Sequence, residues 1–275
     1  DLTFFRDKID YLLTRIPNLY LALEERREWV NWDKRVYLSF VSRGDVVLDV
    51  GANVGAHTVF LSHLVGSSGK VIAFEPLPPN LAKLRELVAR RARFDNIEVV
   101  AAAVGNPDPS TTEVSLHAPG SDYTQASLAT QTAGSWSAHQ DVKVFQCPIT
   151  SIDLDTSLRR LERLDFLKLD IEGGEMPSLL GARKTISRFG PLIYCEVYRR
   201  WTEAFRYSPT DLMSVVLSLG YREARAIVDG RVHSHLLESP LPDYWFDNSS
   251  DVLFFRDIHR EMVRRFDSRY LREGD

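Results

Sequence analysis

The chain has 275 residues, 44% hydrophobic and 26% charged, a globular composition that excludes collagen, coiled coil and wholesale disorder and suits one large domain with or without an appendage. Lys plus Arg is 34 and Asp plus Glu is 38, a formal charge of −4 with only short basic clusters, which argues against nucleic acid as a partner. Apolar runs fall well short of the ~20 residues of a membrane-spanning helix, and no secretory-type segment opens the sequence, so neither a membrane nor an export route is expected and a cytoplasmic setting follows.

Residues 1–43 are expected to be helical, with apolar positions at helical spacing over 7–13 and 19–30 and Pro17 between them. The β-branched run 46–50 then reads as a buried parallel strand ending at Gly51. An apolar helix pattern follows over 54–65, then a second strand over 70–74. Asn80 is placed to cap a helix over 81–93, and 97–100 is a third strand. Residues 105–134 are rich in Pro, Ser, Thr and Gly, with one strand-like stretch at 113–117; within them 119–137 reads as a mobile segment able to act as a lid. Strands are expected at 142–149, 165–170, 192–197, 221–228 and 252–255, with helices at 176–187, 209–219 and 257–272. This alternation predicts an α/β fold, a doubly wound sheet with right-handed crossovers. The chain divides into an N-terminal helical extension (1–43), a main domain (44–256) and a C-terminal helix (257–275). Cys147 and Cys195 lie in strand-like runs with no metal-ligand spacing and read as two buried thiols.

The most informative segment is Leu48-Asp49-Val50-Gly51-Ala52-Asn53-Val54-Gly55, a strand-to-helix turn. Glycines there let a ligand approach the backbone, and the helix N-terminus offers free N–H groups. A dinucleotide fingerprint needs a second glycine where this chain has Asn53, which would crowd a pyrophosphate. Asp49 supplies a negative charge that a phosphate site would not want, and suits the cationic amino-acid end of a ligand. Glu75 ends the second strand and can accept hydrogen bonds from both ribose hydroxyls. Together these features point to a nucleoside joined to an amino acid, and S-adenosylmethionine fits. The plainer account is a structural glycine turn beside a surface Glu.

Several motifs in order carry a resemblance: the stretch 47–62, Phe74-Glu75-Pro76, the strand and turn over 96–105, and Phe166-Leu167-Lys168-Leu169-Asp170-Ile171-Glu172-Gly173-Gly174-Glu175. Ser151-Ile152-Asp153, Leu180-Gly181-Ala182 and Tyr194-Cys195-Glu196 follow the same order. Over about residues 44–200 the chain resembles the FkbM family of methyltransferases. The resemblance implies a class I methyltransferase fold, a Rossmann-like sheet of seven mostly parallel strands whose last strand is antiparallel. It also implies S-adenosylmethionine as methyl donor and an oxygen acceptor on a natural product, sugar or glycan. Donor contacts are then expected from Asp49, Gly51, Ala52, Asn53, Gly55, His57, Thr58, Glu75, Pro76, Ala101, Ala102 and Asp170.

Ligands of open α/β sheets bind beyond the carboxyl ends of the strands, where Asp170 and Glu196 stand. An alcohol acceptor must lose its proton, so Asp170, Glu196 and Glu172 are the catalytic candidates. Crowded carboxylates raise one another's pKa, which suits a base; some, Glu175 among them, can equally hold the Gly173-Gly174 turn. Asp170 and Glu196 on neighbouring strand ends also suit Mg²⁺, a second reading of the same pair. Tyr123, Trp136, Tyr198 and Trp201 are aromatic candidates for packing on an acceptor, and His139 borders the lid. The helical extension can cover the site or form a homodimer. Two other readings stay open: a donor-binding scaffold without catalysis, and a nucleotide-dependent oxidoreductase.

Overall fold

Buried β-branched and apolar runs build the centre of the molecule. In the computed structural model, which describes residues 11–24, 26, 31–120, 123–130, 136, 141–155, 158–248 and 250–271, strands β1 (Val46–Val50), β2 (Lys70–Phe74), β3 (Ile97–Val100), β7 (Phe166–Leu169) and β8 (Leu192–Val197) run parallel. With β9 (Glu223–Val228), β10 (Arg231–Leu236) and β11 (Ser250–Phe255), the eight-stranded sheet has the order β10-β9-β11-β8-β7-β1-β2-β3. Strand β11 (Ser250–Phe255) is antiparallel to both of its neighbours, β8 and β9 (Glu223–Val228).

The sequence reading missed β10 (Arg231–Leu236), which pairs antiparallel with β9 through a hairpin. Asp229 and Gly230 at its tip have φ of 48° and 74°, the doubly positive pattern of the tight hairpin turn. A second sheet of three strands lies in the middle segment. There β6 (Val142–Thr150) sits between β4 (Ala103–Val104) and β5 (Glu113–Pro119).

The two faces of the main sheet have different covers. Helices α1 (Pro17–Glu24), α2 (Trp32–Phe40) and α9 (Arg260–Tyr270) pack on one face, where Tyr20, Tyr37, Phe40 and Phe266 meet Val47, Phe166, Tyr194 and Leu253. Each such side chain contributes roughly 1.5–3 kcal/mol by leaving water. The expected N-terminal extension and terminal helix therefore share a core with the sheet. On the opposite face Leu48, Leu167 and Ile193 pack against α5 (Glu175–Leu180), α6 (Arg183–Phe189) and α8 (Pro209–Ser218).

Local chemistry moves some boundaries. Helix α3 (Ala56–Val65) begins after Gly55, whose φ of 90° ends the turn. Helix α4 (Pro78–Arg91) starts on its two prolines rather than at Leu81, so Asn80 lies inside the first turn and caps nothing. The helix expected over 176–187 is broken at Gly181, where a Cβ would lie 2.1 Å from the Gly105 carbonyl oxygen. Asp153 then caps α6 by accepting from the Lys184 and Thr185 amides, so these motifs act structurally. Both cysteines are buried free thiols. Among the described residues no helix is long and apolar enough to cross a membrane. Residues 7–10, 25 and 27–30 of the expected helices, much of 119–137, His139 and Arg272 lie outside the described residues.

Candidate active site

The strand ends close on a backbone crossing at Gly51. Its amide and that of Ala52 both donate to the Phe74 carbonyl, and its φ is 84°. A Cβ there would lie 1.9 Å from the Asp170 carbonyl oxygen, so only glycine lets the β1 and β7 ends meet. Asn53 follows with φ of 51°, left-handed backbone that Asn tolerates better than most residues. Its amide donates to Glu75 Oε2 at 2.8 Å, and the Leu77 amide donates to Oε1 at 2.9 Å. Burial pushes the Glu75 carboxyl up to about 7, against the opposing pull of these two amides.

A cavity with about 800 Å³ of empty space, mouth included, opens beyond this turn. Of the sequence candidates, Gly51, Asn53, His57, Glu75, Pro76, Ala102, Tyr123, Asp170 and Glu172 line it. The other described candidates lie apart from its lining. Asp49 is wholly buried; it accepts from Thr58 Oγ1 at 2.7 Å and faces Lys168 at 3.3 Å. Ala52 and Ala101 pack around Leu81 and Leu84, and Gly55 lies against Leu84. Glu196 stands off the cavity wall, yet Asp170, Glu172 and Glu196 can each bring an oxygen within 4.8 Å of the others. Three partly buried carboxylates thus share this edge.

Sequence reasoning passed over Lys168. It is 2% exposed, and its ammonium lies 3.2 Å from Asp170 Oδ2, 3.3 Å from Asp49 Oδ1 and 3.4 Å from the Gly51 carbonyl. Burial alone would lower its pKa, but Asp170, Asp49 and Asp33 outweigh burial and hold it above the ordinary lysine value. The signal was present: a lone Lys inside the otherwise apolar strand Phe166–Leu169.

Neighbouring residues extend this polar array. Lys168 pairs in register with Asp49 on one side and Tyr194 on the other. The Tyr194 hydroxyl donates to Asp33 of α2 at 3.0 Å. Tyr37, also of α2, shares a 3.0 Å hydrogen bond with His57 Nδ1. Burial pushes Asp251 up to about 7, reinforced by Asp33 and Asp170 and opposed by Tyr194 and Lys168. The helical extension and the last strand thus bring Asp33, Tyr37 and Asp251 to the matched strand ends, which no local pattern signals.

Glu172 and Gly173 both take positive φ, 55° and 103°. Glu175 is buried under this turn, accepting from the Ile171 and Gly173 amides at 3.0 and 3.3 Å. It holds the turn and does not line the cavity. The described part of the expected lid, 123–130, runs across the cavity and is tied down. The Asn80 amide donates to the Tyr123 carbonyl, Ser127 exchanges backbone bonds with His117, and Ser127 Oγ donates to the Glu172 carbonyl. Trp136 Nε1 donates to the Gln125 carbonyl, and its ring joins Trp201 and Tyr198 in one aromatic cluster.

Residues 49–223 match the profile of the Methyltransferase FkbM domain. The chain belongs to the FkbM methyltransferase family. Its sheet, with parallel strands and an antiparallel β11, is that of a class I methyltransferase with β10 added at one edge. Across 156 residues it is 32% identical to the 31-O-demethyl-FK506 methyltransferase FkbM of Streptomyces tacrolimicus, covering 50% of this chain and 59% of that protein. Across 57 residues it is 40% identical to protein-L-isoaspartate O-methyltransferase 2 of Archaeoglobus fulgidus, covering 21% and 26%. The FkbM methyltransferase structure from Methylobacillus flagellatus aligns at 18% identity and a TM-score of 0.45, covering 86% of this chain and 58% of that one. The chain thus spans less than two thirds of each of these relatives. The donor of FkbM methyltransferases, S-adenosylmethionine, fits the residues present: Gly51 and Asn53 line the cavity, and the buried carboxylate of Glu75 faces it.

Proposed function

We propose that this FkbM-family chain is an S-adenosylmethionine-dependent O-methyltransferase acting on a hydroxyl of a natural product, sugar or glycan. The observation that carries this reading is the placement of Asp170. Its carboxylate lines the cavity beyond Gly51, is held on Oδ2 by Lys168, and keeps 43% of its side chain exposed toward an incoming acceptor. The names of two relatives, one a 31-O-demethyl-FK506 methyltransferase and one an isoaspartate O-methyltransferase, support an oxygen acceptor.

When bound, S-adenosylmethionine supplies an electrophilic methyl group. Gly51 and Asn53 would present backbone to it, Glu75 would accept from its ribose hydroxyls, and Ala102 would lie along the base. Asp170 accepts the proton of the acceptor hydroxyl, and the strap over 123–130 keeps water from the reacting groups. Holding acceptor oxygen and methyl in line supplies most of the rate. The test pairs calorimetry with turnover. The intact protein should bind S-adenosylhomocysteine, and Glu75→Ala should weaken that binding. Asp170→Asn should keep it while losing about 10²-fold or more in turnover of labelled donor on sugars and polyketide alcohols, with and without Mg²⁺. An intact protein that binds no S-adenosylhomocysteine overturns the reading.

A further inference from the structure

Helix α2 of the N-terminal extension reaches the Gly51 cavity through a single buried phenol. Tyr37 is 1% exposed, and its hydroxyl lies 3.0 Å from Nδ1 of His57. His57 is half-buried and lines the cavity from the first turn of α3. Three rings fix the phenol edge to face: His57, Phe166 and Tyr194 stand at centroid distances of 5.6, 5.9 and 6.0 Å, each nearly perpendicular to it. Burial, reinforced by Asp33, Asp49, Asp170 and Asp251, holds the phenol well above its ordinary pKa, so the hydroxyl keeps its proton. A phenol O–H is a more acidic donor than the N–H of a neutral imidazole, and the bare ring nitrogen is a good acceptor. The hydrogen bond made at one ring nitrogen decides which nitrogen carries the proton. A hydroxyl that donates to Nδ1 leaves the ring proton on Nε2.

We propose that Tyr37 is a positioning residue of the donor site: it fixes His57 as the Nε2–H tautomer and so presents that N–H to the carboxylate at the amino-acid end of S-adenosylmethionine. The inference rests on S-adenosylmethionine being the donor and adds a task for the helical extension. His57 is the second residue of α3, and the first-turn amides of a helix are unpaired and carry positive partial charge, which favours an anionic group beside them. The one carboxylate of the donor is at its amino-acid end, while Glu75 is placed for the ribose. Holding the ring in one tautomer and one orientation beforehand removes an ordering cost from binding. His57 lies inside the family match at 49–223 and Tyr37 lies before it, so a residue of the extension completes a site that the shared domain begins.

The test uses the full chain and has two arms. The first is the imidazole ¹⁵N spectrum at a pH where the ring is neutral, with the His57 signals assigned by their loss in His57→Gln. The parent should show Nε2 protonated and Nδ1 bare. Tyr37→Phe removes only the hydroxyl and keeps the ring contacts, and it should show both tautomers. The second arm is calorimetry with S-adenosylhomocysteine and with 5′-methylthioadenosine, which lacks the amino-acid carboxylate. Tyr37→Phe should weaken S-adenosylhomocysteine by roughly 3–10-fold, the scale of one hydrogen bond, and leave methylthioadenosine unchanged. Adding Tyr37→Phe to His57→Ala should cost nothing beyond His57→Ala alone, because Tyr37 acts through His57. A parent ring protonated on Nδ1 overturns this inference, as does a Tyr37→Phe variant that weakens both nucleosides alike or neither; the donor reading survives each of these results. A parent that binds neither nucleoside overturns both.

Discussion

Lys168 lies on β7 and Asp170 just past its end, and the lysine ammonium lies 3.2 Å from Asp170 Oδ2. The same ammonium neutralises Asp49 beneath the glycine turn. One buried cation thus ties Asp49, beneath the glycine turn, to Asp170 on the cavity wall. Removing one partner of a buried ion pair leaves the other charge uncompensated and costs about 3–5 kcal/mol. Lys168→Met should therefore lower unfolding free energy by about that amount in urea titrations. Adding Asp49→Asn to it should recover part of the loss, since the two sites couple. A single variant as stable as the parent would show that the ammonium does not hold these carboxylates.

Glu75 carries a pH signature. Its carboxyl is pushed from an ordinary 4.5 up to about 7, so the folded state holds its proton more tightly than the unfolded state does. This group contributes stability that is fully present below pH 4.5 and is lost as pH rises through about 7. Glu175 and Asp251, each pushed up to about 7, act in the same direction. Thermal melts between these limits should show stability falling as pH rises, and Glu75→Gln should make the fall shallower. The same position should govern donor binding: Glu75→Ala should weaken S-adenosylhomocysteine by roughly 10–100-fold, the scale of hydrogen bonds to a charged group.

Gly51→Ala should fail more severely than an exposed glycine substitution. It combines a φ of 84° with a Cβ placed 1.9 Å from the Asp170 carbonyl oxygen, a backbone atom that no rotamer can clear. The expected outcome is loss of donor binding in calorimetry together with a lowered melting temperature. Gly230→Ala, also at positive φ but with nothing within 4 Å, should cost only the left-handed penalty of about 1–2 kcal/mol and leave donor binding intact.

The central strands were legible because burial on both faces leaves continuous apolar runs such as Val71-Ile72-Ala73-Phe74, and the glycine turn was legible because its backbone needs are local. Strand β10 was hidden by its exposure: an edge strand reading Arg-Val-His-Ser-His-Leu carries little apolar signal, and only Asp229-Gly230 gave it away. Two-residue β4 is too short for any pattern. Asp49 and Glu75 were both picked out as acids near the turn, but which one faces the cavity depends on alternation along β1 that sets Asp49 toward Thr58 and Lys168. The approach of Asp33, Tyr37 and Asp251 to Lys168 joins residues more than 200 positions apart, so it belongs to tertiary structure alone.

The strap over 123–130 makes the last prediction. Two of its ties to the body are side-chain bonds to backbone, Asn80 to the Tyr123 carbonyl at 3.0 Å and Ser127 Oγ to the Glu172 carbonyl at 2.8 Å. Each is a single hydrogen bond with a net worth of about 0.5–1.5 kcal/mol, so losing both should free the strap without unfolding the sheet. In the double variant Asn80→Ala/Ser127→Ala, hydrogen exchange should speed up over the strap amides by about 10-fold or more and stay unchanged in β1 and β7. Because Leu116, Tyr123 and Leu128 wall the cavity from that side, donor affinity should fall with it. Faster exchange with unaltered donor affinity would mean that the strap covers the cavity without gating it. Unaltered exchange would mean that the backbone bonds between Ser127 and His117 and the Lys143–Tyr123 bond hold the strap without these two side chains.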